Sequence, residues 1–259
     1  MRLTARNYFS PKANREYLSA SQLKAFMKCE ASAMADLNDE WEGGESQALF
    51  LGSLVDELLT GTKKSKEKFI AENQTKLFKK NGEPYADVAK AYNAVEIVKK
   101  QPLMMKYLSG KKQKIMTGVI EGVKFKIKMD SYQPGEFIAD LKYLSSLRSP
   151  NLFDNVVKYW GYDVSMAIYQ EIVYQNTGQR LPVYLVIVTK ETVPRVKVAE
   201  IKQWNLDDAL DLVKKNLPRI VAVKNGELAP DRCENCDYCA ATEILTEVID
   251  SDMLGISKQ

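Results

Sequence analysis

Between Lys112 and Leu144 the apolar residues recur at every second position, the repeat of a β-strand rather than a helix. Within VKFKIKMDSYQPGEFIADLKYLSS, Val123, Phe125, Ile127 and Met129 alternate with Lys124, Lys126, Lys128 and Asp130. Beyond Pro134-Gly135, which suits the two central positions of a type II turn, Ile138, Asp140 and Lys142 alternate with Phe137, Ala139, Leu141 and Tyr143. Glu121-Gly122 sets off one more strand upstream. A meander of this kind needs helices or further strands to cover it, because its apolar sides are unstable in water.

The flanking segments supply them. Ser19 or Ser21 can cap a helix through LKAFMKCEASAMADL, with Leu23, Phe26, Met27 and Ala31 on one side. A second helix reads through QALFLGSLVDELLTG, which Gly61 helps to end; 62–85 reads mostly as loop, and a third helix spans 86–108. After the meander come a helix over 153–175, strands in PVYLVIVT and RVKVAEI, and a helix over 205–223. This order predicts an α/β fold, with a central mixed sheet flanked by helices and extra helices at the N-terminal end. A single domain over 1–259 is expected: a helical part (1–108), an α/β core (109–226) and a Cys-containing tail (227–259).

If the Pro134-Gly135 turn closes a hairpin, Asp130 falls opposite Asp140 or one step from it. Facing cross-strand side chains have Cβ atoms about 4.5–5.5 Å apart, so both carboxylates can hold one divalent cation. Hard cations such as Mg²⁺ take such oxygen ligands. Lys142 points into the same space, where an ammonium can orient water or stabilise charge developing on a phosphate. The plain alternative is an amphipathic strand pair with its charges in solvent. Against it, IADLKY is mostly apolar, and a charge in a strand buried on both sides is costly unless paired or metal-bound.

No histidine occurs in 259 residues, which excludes Ser-His-Asp, Cys-His and His-ligated zinc chemistry. Acid–base work must fall to carboxylates, Lys, Tyr or metal-bound water. The net charge of +3 permits nucleic acid binding without requiring it. Lys124, Lys126 and Lys128 read either as an electrostatic track for a DNA backbone or as an ordinary soluble strand face. Neither a secretory signal nor an apolar run of about 18 residues is present, so a cytoplasmic protein without a membrane span is expected. In that compartment the four cysteines are free thiols or metal ligands rather than disulfides.

An acid ending one strand, followed by Asp-x-Lys on the next, resembles the catalytic signature of the PD-(D/E)xK nuclease superfamily, here Asp130, Asp140 and Lys142. Upstream, LGSLVDELL resembles the helix motif of RecB-like nucleases, with Asp56 where that family has histidine. Glu57, one step around the helix, aims about 100° away. Downstream, WGYDVSMAIY resembles the helix whose Gln-x-x-x-Tyr motif supports the site, placing Ser165 and Tyr169 at the motif positions. A literal Gln-x-x-x-Tyr at Gln170 and Tyr174 lies five residues on. YLSASQLKAFMKCEASAMADL and LFKKNGEPYADV resemble segments of RecE-type (exonuclease VIII-like) prophage exonucleases.

The resemblance implies a DNA exonuclease acting 5′→3′ on double-stranded ends, leaving 3′ single strands for recombination. It implies one or two Mg²⁺ (or Mn²⁺) on Asp56, Asp130, Asp140 and the Leu141 carbonyl, with Lys142 and Tyr169 in the catalytic set and Ser165 with the lysine track against DNA. It also implies a ring-shaped homo-oligomer and a RecT-like annealing partner. Cys29 together with RCENCDYC (Cys233, Cys236, Cys239) resembles the iron–sulfur staple of AddB-type and some CRISPR-associated nucleases. Four thiolates suffice for a [4Fe–4S] cluster or a tetrahedral zinc, and they can also simply stay reduced. An iron–sulfur nuclease that trims DNA ends, an inactive DNA-binding clamp and an enzyme of unrelated chemistry remain as alternatives.

Overall fold

The computed structural model describes residues 1–41, 43, 46–149, 155–246, 248 and 250–253. The meander forms as expected, with β1 (Lys111–Ile120), β2 (Val123–Gln133) and β3 (Phe137–Leu144) paired antiparallel in turn. Two more strands, β4 (Val183–Thr189) and β5 (Val196–Ile201), extend the sheet to the order β1-β2-β3-β4-β5. β4 runs parallel to β3 and antiparallel to β5, so the sheet is mixed. The parallel step requires a crossover, and the chain provides it as a helix between β3 and β4.

Helices cover both faces of the sheet. Toward the N-terminus lie α1 (Pro11–Glu16), α2 (Ala20–Lys28), α3 (Glu30–Leu37), α4 (Gln47–Thr60), α5 (Lys63–Glu72), α6 (Gln74–Leu77), α7 (Ala86–Lys99) and α8 (Pro102–Tyr107). After β3 come α9 (Val156–Tyr159), α10 (Tyr162–Thr177), α11 (Gln203–Lys224) and α12 (Asp237–Ala241). One core packs Ile138, Leu185 and Ile187 against Ile168 and Ile172 of α10 and Val213 of α11. A second packs Phe137, Ala139, Leu141 and Val186 against Leu54 and Val55 of α4 and Val95 of α7. Each such aliphatic side chain removed from water contributes about 1.5–3 kcal/mol. β3 therefore runs between two cores, and this makes the Asp140 carboxylate unusual.

Helix boundaries differ from the sequence expectation in four places. The helix through LKAFMKCEASAMADL is two helices, because Cys29 is extended (φ −162°, ψ 107°) and caps α3 with its own sulfur. Within 62–85, α5 and α6 form where a loop was expected; α5 is capped by Thr62 and fully buries no residue, and its half-buried Phe69 and Ile70 are adjacent rather than spaced as a stripe. The third helix divides at Pro102, which opens α8. The helix expected over 153–175 is broken at Gly161, in the left-handed region at φ +58°, and residues 153 and 154 lie outside the described part. Gly161 also meets a close neighbour: a Cβ there would sit 3.0 Å from Lys24 Cδ.

Candidate active site

The β2–β3 ladder stops at Ser131–Ala139, one step short of Asp130 and Asp140. There the Leu141 amide donates to Asp130 Oδ2 at 2.9 Å, so a side chain takes the place of a backbone acceptor. Asp140 sits in the middle of β3, only 4% exposed. Its Oδ2 is met by the Lys142 ammonium in a buried, hydrogen-bonded ion pair. Alternation along β3 is what places these two side chains together. Lys142 Nζ also lies 5.1 Å from the centre of the Tyr162 ring.

Asp56 arrives on α4, whose leucines pack against β3. Its Oδ1 accepts from Thr60 Oγ1 at 2.7 Å, and its Oδ2 accepts from Gln113 Nε2 at 3.1 Å. Gln113 is the β1 residue skipped between the Lys112–Ser131 and Lys114–Met129 pairs. It is held at φ +50°, a region in which most side chains are strained. Glu57 is turned away and accepts from Ser65 Oγ instead.

These charges act on one another. Burial, then Asp140 and Asp56, push the Asp130 carboxyl well above the ordinary aspartate range. Burial also raises Asp56, against the Thr60 hydrogen bond and the Lys128 charge. Burial alone would lower Lys142, but Asp140 and Asp130 outweigh it and hold the ammonium firmly protonated. Lys142 is therefore a cation at neutral pH and not a base. The donor set fits a divalent cation: the hard oxygen donors of Asp56, Asp130 and Asp140 act on one another, and their burial and like charge favour protonation over ionisation where no cation is bound.

Tyr169 of α10 donates to the Lys128 carbonyl at 3.3 Å, and burial followed by Asp140 raises its hydroxyl well above the usual phenol range. Ser165 is adjacent on α10, but its hydroxyl donates back to Gly161 O at 3.3 Å within its own helix. Gln170 donates to Leu181 O and to Gln203, which leaves the literal Gln-x-x-x-Tyr motif in a packing role.

The lysine track does not form as expected. Lys124 is exposed and lies 3.6 Å from Glu16. Lys126 is 1% exposed, with its ammonium donating to Tyr8 O and Asn14 Oδ1. The cause is Leu18, which hydrogen-bonds β2 at Lys124 and Lys126 and brings the N-terminal segment across that side of the strand. Only Lys128, half-buried and 4.8 Å from the Phe9 ring centre, stays electrostatically linked to Asp56.

Sequence reasoning missed three site residues. Lys24 of α2 donates to Trp160 O at 3.3 Å, and its pKa is lowered by burial and by Lys142. Lys112 is lowered by burial while Asp56 and Asp130 act to raise it. Gln113 is the third. None carries a motif, and only the tertiary fold brings them to the carboxylates. The four cysteines also converge, in a cluster of their own with Ala31 and Tyr238.

A family model described as a PDDEXK-like domain of unknown function, DUF3799, matches residues 19–242. The chain belongs to this family. The DUF3799 chain is also similar to a crystal structure of a "putative exonuclease" from Eubacterium rectale, 41% identical, with a TM-score of 0.92 over 98% of this chain and 99% of that one. SSO0001 matches over 85% of this chain and 93% of its own at 10% identity and a TM-score of 0.33. None of the curated proteins matches. The mixed five-stranded sheet with Asp130, Asp140 and Lys142 where β2 and β3 part agrees with a PDDEXK-like domain. Among the described residues no helix is long and apolar enough to cross a membrane.

Proposed function

We propose that this DUF3799 protein is a metal-dependent DNA exonuclease acting 5′→3′ on double-stranded ends, leaving 3′ single strands for phage or prophage recombination. The observation that carries the reading is the buried Asp140–Lys142 pair on β3 beside Asp130, with Asp56 delivered from α4. The exonuclease named for the Eubacterium rectale relative supports the reaction class. Polarity and the recombination role rest on the resemblance to RecE-type enzymes.

Asp56, Asp130, Asp140 and the Leu141 carbonyl would hold one or two Mg²⁺, with Mn²⁺ substituting. When bound, a divalent ion supplies Lewis-acid activation of water and neutralises charge on the leaving oxygen. Lys142 places a fixed positive charge beside the scissile phosphate and orients the attacking water. Lys24, Lys112 and Lys128 provide cations at the rim of the site for neighbouring phosphates. Tyr169 fixes the β2 backbone at Lys128 and stays protonated. The reading takes 1–259 as one nuclease domain in the cytoplasm, forming a ring around DNA and working with a RecT-like annealing protein, again by resemblance.

The deciding experiment digests linear duplex, labelled separately at 5′ and 3′ ends, with purified protein and Mg²⁺. Asp140→Ala and Lys142→Ala should each lower the rate by about 10²-fold or more, the loss typical when a positioned charge is removed. Digestion that survives both changes refutes the site, and release from 3′ ends refutes the polarity.

A further inference from the structure

Cys29 and Cys239 are 210 residues apart in sequence, yet their sulfurs are 3.7 Å apart. Cys233 and Cys239 are separated by 4.0 Å, and all four cysteine sulfurs lie within 4.8 Å of one another. None is in a disulfide, whose bonded sulfurs stand about 2.0 Å apart. The backbone is arranged for this convergence. Cys29 interrupts α2 and α3 and accepts from the Ser32 amide through its sulfur. Glu234, at φ +56°, makes the turn that brings Cys233 and Cys236 together, and Cys236 begins α12, which carries Cys239.

Other contacts hold the two segments together around the thiols. The Asp231 amide donates to Glu30 Oε2 at 2.8 Å, and Arg219 pairs with both Glu30 and Asp231. Trp41 packs edge-on against Tyr238 with ring centres 5.5 Å apart. Arg232 donates to Cys239 O at 2.7 Å, placing a cation beside the sulfurs.

We propose that the four cysteines bind one zinc ion that fastens the α2–α3 junction to the C-terminal tail. The separations select the metal. A tetrahedral ion with metal–sulfur bonds of about 2.3 Å places its thiolates about 3.8 Å apart, as found for Cys29 and Cys239. In a [4Fe–4S] cluster each thiolate binds a different iron, so the iron–iron edge adds to every sulfur–sulfur separation. Four sulfurs within 4.8 Å of one another match the spacing around a single ion rather than around such a cluster. The all-thiolate, closed set is that of a structural rather than a catalytic zinc site. This assignment is independent of the nuclease reading. It concerns what holds α2 in place, and Lys24 stands on α2 beside the carboxylates.

Metal analysis of full-length protein, expressed with both iron and zinc supplied and purified without oxygen, tests the proposal. The expected result is one zinc per chain, no acid-labile sulfide and no absorbance near 400 nm. Cys29→Ser and Cys236→Ser should each lose the zinc. Because either variant can fail to fold, wild-type protein stripped by a thiol chelator is the second arm. It should melt several degrees lower, recover on adding zinc, and take up one Co²⁺ with the visible bands of a tetrahedral tetrathiolate. Iron with sulfide in the purified protein, or stripped protein that takes up neither zinc nor cobalt, overturns the proposal.

Discussion

Gln113 of β1 donates to Asp56 of α4 at 3.1 Å, joining two elements 57 residues apart in sequence at the edge of the carboxylate cluster. The same amide reaches Thr60 Oγ1 at 3.2 Å, and Thr60 in turn donates to Asp56. A strand residue at φ +50° thus fixes a helix carboxylate. Local backbone strain of this kind costs of the order of 1–3 kcal/mol and persists when surrounding contacts impose it.

Gln113→Ala should therefore weaken divalent-cation binding or activity by about 10–100-fold, the usual effect of removing a group that orients a metal ligand. Manganese titration by calorimetry measures it, with circular dichroism checking the fold. Wild-type manganese affinity in the variant would show that Asp56 does not depend on this amide.

The pH dependence of the metal-free protein follows from Asp130 and Asp56. Both carboxyls are raised above their unfolded values, chiefly by burial, so the folded state binds more protons than the unfolded one. Stability is then highest at low pH as far as these groups are concerned, and falls as pH rises above about 4 toward their folded values. Asp130→Asn should flatten that decline and raise the melting temperature at neutral pH, while abolishing cleavage. A denaturant series across pH with chelator present reads this out; an Asp130→Asn protein less stable than wild type at neutral pH contradicts the repulsion argument.

Lys126 and Lys128 should separate cleanly. Lys126→Met leaves Tyr8 O and Asn14 Oδ1 without their buried donor and should cost about 1–3 kcal/mol of stability, with the salt dependence of DNA binding unchanged. Lys128→Ala should leave stability nearly intact and lower the slope of log affinity against log salt by about 0.9. Fluorescence anisotropy across a salt series, beside thermal melts, distinguishes the two, and an unchanged slope for Lys128→Ala would remove that lysine from the DNA surface.

Tyr169→Phe removes a hydroxyl that donates to the Lys128 carbonyl and that burial keeps protonated. A loss of about 0.5–1.5 kcal/mol in stability is expected, with a reduced rate but an unaltered pH–rate profile on the alkaline side. Disappearance of an alkaline limb in the variant would instead make Tyr169 a titrating catalytic group.

The strands and the placement of the charged residues on them were legible from local order. Alternation through 123–144, the two Gly-containing turns and the spacing of Asp140 and Lys142 need no knowledge of distant residues, because a strand's period places side chains by itself. The α/β class followed from the order of elements. Helix boundaries at Cys29 and within 62–85 were not legible, since a capping sulfur and a helix whose apolar contacts come from the adjacent Phe69 and Ile70 leave no periodic signature.

What the order of residues could not settle depended on which segment covers which. Lys124, Lys126 and Lys128 have the same sequence context, yet Leu18 crossing β2 buries the middle one and frees the others for different neighbours. Lys24, Lys112 and Gln113 join the site only because α2 and β1 pack beside it. The cysteine spacing allowed a cluster, an ion or free thiols, and only the fold shows that Cys29 meets Cys239, 210 residues away, at 3.7 Å. Periodicity is carried by neighbouring residues along the chain, whereas burial and charge coupling arise between residues that only folding brings close.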